Sequence, residues 1–341
     1  MKRFRWFHKS IWFLNILAAL LLMLAVWVPQ ITSERFGFLS LLSLTVPLLV
    51  LANFIFLGYW FLVRRKRSLL SVVALALHFL FSESFLRLNT EASEGTAQLT
   101  VLSYNVRGFN KFGDIDNPHV FEDTKNFVKE MDPDIICFQE VSHKRQKEYS
   151  EYPYRYLEYI HHGGKVLLGI FSKYPIVDSG LLDFPTSYNN GAYADIALQN
   201  DTIRVYNVHM ESLGVTDTRV LTEERSDRLF KRLSHSFEKQ VEQAKMVRNH
   251  MDTSPYRTLL CGDFNNTQYS SVYTILKGDM QDTFIEKGHG YGRTYEFLGF
   301  PIRIDFILAD ASFQVARHQN FNVRLSDHYP LMASFDMVPE E

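Results

Sequence analysis

Thr258-Leu259-Leu260-Cys261-Gly262-Asp263-Phe264-Asn265 is a short apolar run that stops at a glycine and passes straight into a carboxylate and an amide. The same arrangement recurs along the chain. The run 99–104 leads into Ser103-Tyr104-Asn105, 135–138 into Phe138-Gln139-Glu140, and 203–208 into Asn207-Val208-His209. Ser326-Asp327-His328 precedes the run 331–335, and Asp305 stands at the start of the run 304–308. With further runs at 166–171 and 192–198, these short apolar segments predict strands. Residues 121–130, closed by Asp132-Pro133, predict a helix. So does the long charged stretch 218–251, where Leu229, Leu233, Phe237, Val241, Ala244 and Val247 recur near helical spacing. Mixed strands and helices from residue 99 onward predict a layered α/β or α+β domain, and periodicity carries the fold no further.

The residues at the strand ends are those that phosphate chemistry needs. Hard cations such as Mg²⁺ take carboxylate, carbonyl and water oxygens and leave positions open for phosphate oxygens. Glu140, Asp263 and Asp327 are candidates for that role. Phosphoryl transfer also needs an activated water and groups that offset charge on the non-bridging oxygens, which His209, His328 and the amides of Asn105 and Asn265 can supply. Singly, an Asp after a strand is usually a turn residue or a helix N-cap, and a His there is usually structural. Six polar sites at the ends of separate apolar runs form a series that this reading does not explain.

That series resembles the endonuclease/exonuclease/phosphatase superfamily, the DNase I-like enzymes. The motifs stand in family order over roughly 99–335: Tyr104-Asn105-Val106, Gln139-Glu140-Val141, Asn207-Val208-His209, Gly262-Asp263-Phe264-Asn265, Arg303-Ile304-Asp305-Phe306-Ile307 and Ser326-Asp327-His328-Tyr329-Pro330. Gly169-Ile170-Phe171-Ser172-Lys173-Tyr174-Pro175 looks like the family's middle-strand segment. The resemblance implies a four-layer α/β sandwich with the active site at one edge. It also implies Mg²⁺ or Mn²⁺ as cofactor, with Glu140 as the chief metal ligand supported by Asn105 and Asp327. Asp263 would orient or deprotonate the attacking water, and Asn265 would hold a phosphate oxygen. His328, paired with Asp305, would bind the scissile phosphate or move a proton, and His209 would stabilise the transition state from the opposite side. A carboxylate beside an imidazole fixes its tautomer and favours its charge.

The first 88 residues differ in kind and read as a membrane anchor. Residues 11–28 are interrupted only by Asn15, and 39–63 only by Ser, Thr, Asn, Gly and one Pro; both are long enough to span a bilayer. A cleaved signal peptide is the competing reading of the first, but the second follows directly. A third segment, 69–86, is weaker, because Ser82, Glu83 and Ser84 intrude. Cationic clusters stay cytoplasmic, and here they are the N-terminus and Arg64-Arg65-Lys66-Arg67. If the third segment spans, this is a multi-pass protein with an extracytoplasmic catalytic domain; if it lies flat, that domain is cytoplasmic. Residues 89–98 are a polar linker, and 99–341 the catalytic domain.

Charge narrows the substrate. Residues 1–94 hold ten Lys/Arg and four Asp/Glu, which leaves 26 basic and 34 acidic residues, a formal −8, beyond them. A domain that gripped long polyanions by electrostatics alone would carry a basic surplus. Cys137 and Cys261 lie in apolar runs and read as buried free thiols. Gly288, Gly290 and Gly292 lack a P-loop's Lys-Ser/Thr and read as a flexible turn, and His161-His162 as a solvated loop. The expected function is a membrane-attached, metal-dependent phosphoester hydrolase of nuclease or phosphodiesterase type. The alternatives are a sphingomyelinase-like lipid-headgroup phosphodiesterase, a phosphomonoesterase, or a catalytically inactive binding module. Specificity would lie in loops such as 186–191 and 288–300. The partners implied are the phosphoester substrate and the lipid bilayer; no protein partner can be inferred.

Overall fold

The computed structural model describes residues 2–84, 86–89, 97–141, 149–158, 167–199, 201–214, 226–297 and 299–337. Most of the expected linker and the His161-His162 pair lie outside the described residues.

Three helices come first: α1 (Lys2–Ala25), α2 (Ser40–Val63) and α3 (Arg65–Phe81). They pack on one another through Ala19, Leu22, Ala25, Val46, Val50, Ala74 and Leu75. Polar groups lie inside the bundle. Asn15 Nδ2 donates to Ser71 Oγ at 2.7 Å, and Asn53 Nδ2 to the carbonyls of Ala18 (3.3 Å) and Leu49 (2.9 Å). The outer surface is apolar, with Leu14, Leu17, Leu20, Leu51, Ile55, Leu62, Leu69 and Leu80 all exposed. The bundle thus buries a few hydrogen-bonded polar groups among apolar side chains and leaves many apolar side chains on its outside. Two helical segments, Trp6–Gln30 and Phe36–Val63, are long and apolar enough to cross a membrane. The third helix starts and stops earlier than the expected 69–86. Its first turn takes in the basic cluster, where Arg65 lies 5.1 Å over the Phe61 ring and Arg67 lies 4.9 and 4.7 Å over Trp12 and Trp60. It closes where the Ser82 amide bonds to the His78 carbonyl, just before Glu83.

The rest is a sandwich of two six-stranded sheets. The first contains β1 (Leu99–Asn105), β2 (Ile135–Gln139), β3 (Tyr154–Glu158) and β4 (Leu168–Ser172), with β11 (Phe313–Asn320) and β12 (Leu331–Met337), in the order β11-β12-β1-β2-β4-β3. The second contains β5 (Ile176–Asp183), β6 (Asn190–Ala197), β7 (Thr202–His209), β8 (Arg257–Asp263), β9 (Gln281–Asp282) and β10 (Asp305–Ala309), in the order β9-β10-β8-β7-β6-β5. Among the described residues, only β1–β2 and β7–β8 pair in parallel. Val101, Ile135, Cys137 and Ile170 of one sheet meet Ala194, Val205, Leu259, Cys261 and Ile307 of the other in an apolar core, where both cysteines are free thiols. Helix α4 (Val120–Met131) covers the outer face of the first sheet through Phe121, Phe127 and Val128. Helices α5 (Ser226–Asp252) and α6 (Ser271–Lys277) cover the second, with Val241, Ala244, Val247, Val272 and Leu276 on Tyr206, Leu260 and Phe306. Four layers, α/β/β/α, follow from strands that are apolar on both faces.

The glycine-rich turn is pinned. Residues 289 and 290 pair with 88 and 87, and a side chain at Gly292 would meet the Phe284 ring at 2.5 Å.

Candidate active site

Register builds the site. Asn190 of β6 stands opposite His209 of β7, His209 opposite Asp263 of β8, and Asp263 opposite Asp305 of β10. Residues facing one another across a ladder project to the same side, so these four form a row at one edge of the sheet. Gly262, at φ +143°, lets the chain turn into that row, and a Cβ there would lie 2.0 Å from the Val208 carbonyl oxygen. The first sheet supplies the facing side. Asn105 ends β1 beside the end of β2, and Glu140 follows in a left-handed conformation at φ +55° that turns it out of the strand.

All eight residues expected from sequence come together. His209 Nε2 lies 3.5 Å from Asp263 Oδ2 and 4.0 Å from Glu140 Oε1. His328 Nε2 lies 3.6 Å from the same Asp263 oxygen, while its Nδ1 sits 3.1 and 3.0 Å from the two oxygens of Asp305. Asn105 Nδ2 donates to Glu140 Oε1 (3.3 Å) and Asp263 Oδ2 (3.1 Å), and its Oδ1 accepts from the Arg107 amide at 3.1 Å. Its N–H, rather than its oxygen, therefore faces the carboxylates. The Asn265 amide donates to Asp263 Oδ1 at 2.8 Å, and its side-chain nitrogen to the Met210 carbonyl at 3.0 Å. Asp327 accepts from Ser326 Oγ at 3.1 Å and from the Arg107 guanidinium.

Protonation follows from this crowding. Burial works most strongly against charge on His328, yet Asp305, Asp263 and Asp327 together raise it to about 10, so it is an imidazolium at neutral pH. Burial pushes the Asp263 carboxyl up from its ordinary value; His328, His209 and the Asn265 amide oppose the rise, and Asp305 adds to it. Such a carboxylate is a stronger proton acceptor than an exposed one.

Asp263, Asp305 and His328 place ligand-type atoms within 4.8 Å of one another. A charged imidazole hydrogen-bonded to one carboxylate and facing another already supplies the positive charge there, so this trio is internally satisfied. Glu140 and Asp327 are the carboxylates more open to the cleft, with side chains 24% and 25% exposed. The site holds four carboxylates against His328 and Arg107, and this acidic surplus of oxygen donors fits a hard divalent cation.

Sequence reasoning missed Arg107. It sits in a turn where Arg107, Gly108, Phe109 and Asn110 all have positive φ, and its guanidinium reaches Asp114 at 2.7 Å as well as Asp327. Gly108 and Asn110 were the available signal, since both tolerate that conformation. Tyr295 was also missed: its ring centroid lies 4.8 Å from that of His328. So was the buried pair that ties the sheets together under the site. Gln139 Nε2 donates to Asn207 Oδ1 at 2.7 Å, and Asn207 Nδ2 donates to the carbonyls of Phe138 and Gly169.

An acidic, histidine-flanked cleft at the edge of a two-sheet sandwich defines a phosphoesterase class of protein. The chain belongs to the endonuclease/exonuclease/phosphatase family, whose model matches residues 102–328. Residues 8–85 match a separate domain described only as of unknown function. No curated protein matches the chain. Among solved structures it is similar to an endonuclease/exonuclease/phosphatase family protein from Bacteroides thetaiotaomicron, at 21% identity over 72% of this chain and 100% of that one, with a TM-score of 0.53. A mannosyl-6-phosphatase of Bacteroides thetaiotaomicron VPI-5482 is 21% identical over 70% and 99%, with a TM-score of 0.54. D. rerio TDP2, complexed with single strand DNA product, is 15% identical over 70% and 99%, with a TM-score of 0.54. These likenesses show the fold.

Proposed function

We propose that the protein is a divalent-metal-dependent phosphoester hydrolase held at a membrane by its N-terminal helices. The observation that carries the hydrolase reading is the convergence of Glu140, His209, Asp263, Asp305 and His328, drawn from strand ends and the turns beside them, through contacts of 3.0 to 4.0 Å. Glu140 and Asp327 would hold Mg²⁺ or Mn²⁺, with Asn105 fixing Glu140 through its N–H. The cation would withdraw charge from the phosphate oxygens. Asp263 accepts the proton of the attacking water, and Asn265 positions Asp263 through its backbone amide. His328, kept charged by Asp305, faces the phosphoryl oxygens as a donor, with His209 on the other side of Asp263. What supports the anchor is the pair of long apolar helical segments and the many exposed apolar side chains on the outside of the bundle, around buried Asn15, Asn53 and Ser71. The expected domain limits stand as part of this proposal: anchor 1–88, linker 89–98, catalytic domain 99–341.

Similar folds serve a mannosyl-6-phosphatase and a protein that holds a DNA product, so both diesters and monoesters belong in the test. The full chain, purified in detergent, should hydrolyse at least one of bis-p-nitrophenyl phosphate, single-stranded DNA, RNA and sugar phosphates when Mg²⁺ or Mn²⁺ is present. Asp263→Ala should remove that activity by about 10² to 10⁴-fold, the scale of a lost general base. Equal turnover by the variant would sink the reading.

A further inference from the structure

The bundle does not hang free of the sandwich but is seated on the edge that carries the site. Leu44 and Leu41 of α2 pack with Leu213, Phe237, Ile302 and Ile304, and with Tyr295, the residue beside His328. Ser43 Oγ donates to Asn266 Oδ1 at 2.7 Å, and Thr267 Oγ1 to the Ser43 carbonyl at 3.1 Å. Asn266 and Thr267 directly follow Asn265. Gly37 lies so close to α5 that a side chain there would meet the Glu238 amide at 2.8 Å. One layer of side chains therefore separates the reacting groups from the end of the helical bundle.

Length fixes where that end sits. From Ser43 to Val63 of α2 is twenty-one residues, twenty steps along the helix. At about 1.5 Å per residue this is roughly 30 Å, the thickness of a bilayer's hydrocarbon core. With the Arg64-Arg65-Lys66-Arg67 cluster at one boundary, Ser43 and its partner Asn266 stand at the other. Exposed aromatic rings also flank the bundle's seat and the site. Phe36 and Phe38 belong to the segment leading into α2, and the Phe38 and Phe230 ring centroids lie 6.1 Å apart. Phe112 lies exposed beside Arg107, and Tyr188 stands exposed two residues before Asn190. Aromatic rings are enriched at the headgroup layer, where one end is apolar and the other wet.

We infer that the substrate is a phosphoester carried by a membrane lipid, whose headgroup enters the cleft from the bilayer while its tails stay in the membrane. This rests on the hydrolase and anchor readings and deepens them. A formal −8 beyond residue 94 disfavours long soluble polyanions and costs little against a single phosphate delivered in the plane of the membrane.

The test uses the full chain reconstituted in vesicles of digalactosyldiacylglycerol, which contains no phosphate, doped in turn with phosphatidic acid, phosphatidylglycerol or sphingomyelin. Bis-p-nitrophenyl phosphate and a single-stranded oligonucleotide are assayed on the same preparation. At least one lipid should turn over, with kcat/KM at least about tenfold above the oligonucleotide, the scale of a confined substrate's effective concentration. Diluting that lipid within the bilayer at constant bulk concentration should lower the rate in proportion. Turnover of bis-p-nitrophenyl phosphate with every vesicle lipid untouched, or a preference for the oligonucleotide, overturns the inference and leaves the hydrolase standing. Silence on all substrates, identical to Asp263→Ala, overturns the hydrolase and the inference with it.

Discussion

His328 owes its charge to one neighbour above the others. Burial alone would leave the ring neutral, but Asp305 accepts from Nδ1 through both oxygens, and Asp263 and Asp327 add to the field. Asp305→Asn keeps the shape and removes the charge. It should lower kcat by about 10² to 10⁴-fold and move the His328 imidazole resonance to a lower titration point in NMR, while wild-type kcat in the variant would contradict the assignment. At this scale much of the site was legible in the sequence. Asn105, Glu140, His209, Asp263, Asn265, Asp305, Asp327 and His328 each follow or begin an apolar run, and strand ends at one edge of a sandwich must converge. The direction in which a side chain faces was not legible. Asn105 was expected as a metal-supporting ligand; its N–H faces Glu140 and Asp263, while its oxygen accepts from the Arg107 amide and keeps a second lone pair. Arg107 escaped notice because its position depends on four successive left-handed residues, a backbone property with only Gly108 and Asn110 as signals.

Strands are where reading and structure part most clearly, and the cause is the place of each strand in its sheet. The eight runs read as strands are interior to the two sheets, apolar on both faces, and differ from the observed limits by a few residues. The longer strands not foreseen, β3, β5 and β11, are all edges. An edge strand has one unpaired side and partial contact with water, so Tyr154–Glu158, Ile176–Asp183 and Phe313–Asn320 carry charge and no continuous apolar run. Strand β11 still holds a buried titratable group. His318 Nδ1 meets Thr283 Oγ1 at 2.8 Å, and Nε2 meets Asn320 Oδ1 at 3.2 Å. Burial lowers it from 6.5 to about 4. Above pH 6.5 the ring is neutral whether folded or unfolded, and His318 adds no pH dependence. Between 6.5 and about 4 the unfolded chain binds a proton that the folded chain refuses, so stability falls with pH, by roughly 3 kcal/mol across the window. His318→Gln should remove that part of the acid loss, read as Tm against pH for the full chain in detergent. An unchanged slope would mean that His318 is protonated in the fold.

On the scale of the molecule, the helical bundle and the sandwich are joined at the catalytic edge. The basic residues Arg65 and Arg67 begin α3, and the loop between α1 and α2 lies at the other end, beside α5 and α6. Positive residues stay cytoplasmic, so the sandwich is expected outside the cytoplasm when all three helices cross. A C-terminal reporter that works only outside the cytoplasm should be active on the full chain; activity of a cytoplasmic reporter alone would mean that α3 does not cross. The sequence made the two long apolar helices visible because apolar runs of this length are rare in soluble chains. It could not reveal the seat of the bundle on the site, since Ser43, Asn266 and Thr267 are ordinary polar residues until the fold places them together.

The most direct test of the central claim, metal-assisted hydrolysis with Glu140 as chief ligand, is calorimetric titration of Mn²⁺ into the full chain, the Glu140→Ala variant and the His328→Ala variant, with turnover of bis-p-nitrophenyl phosphate followed in parallel. Glu140→Ala should lose both metal affinity and turnover, by about tenfold or more in affinity, and His328→Ala should lose turnover while binding Mn²⁺ as the wild type does. Equal Mn²⁺ affinity in wild type and Glu140→Ala would contradict the account.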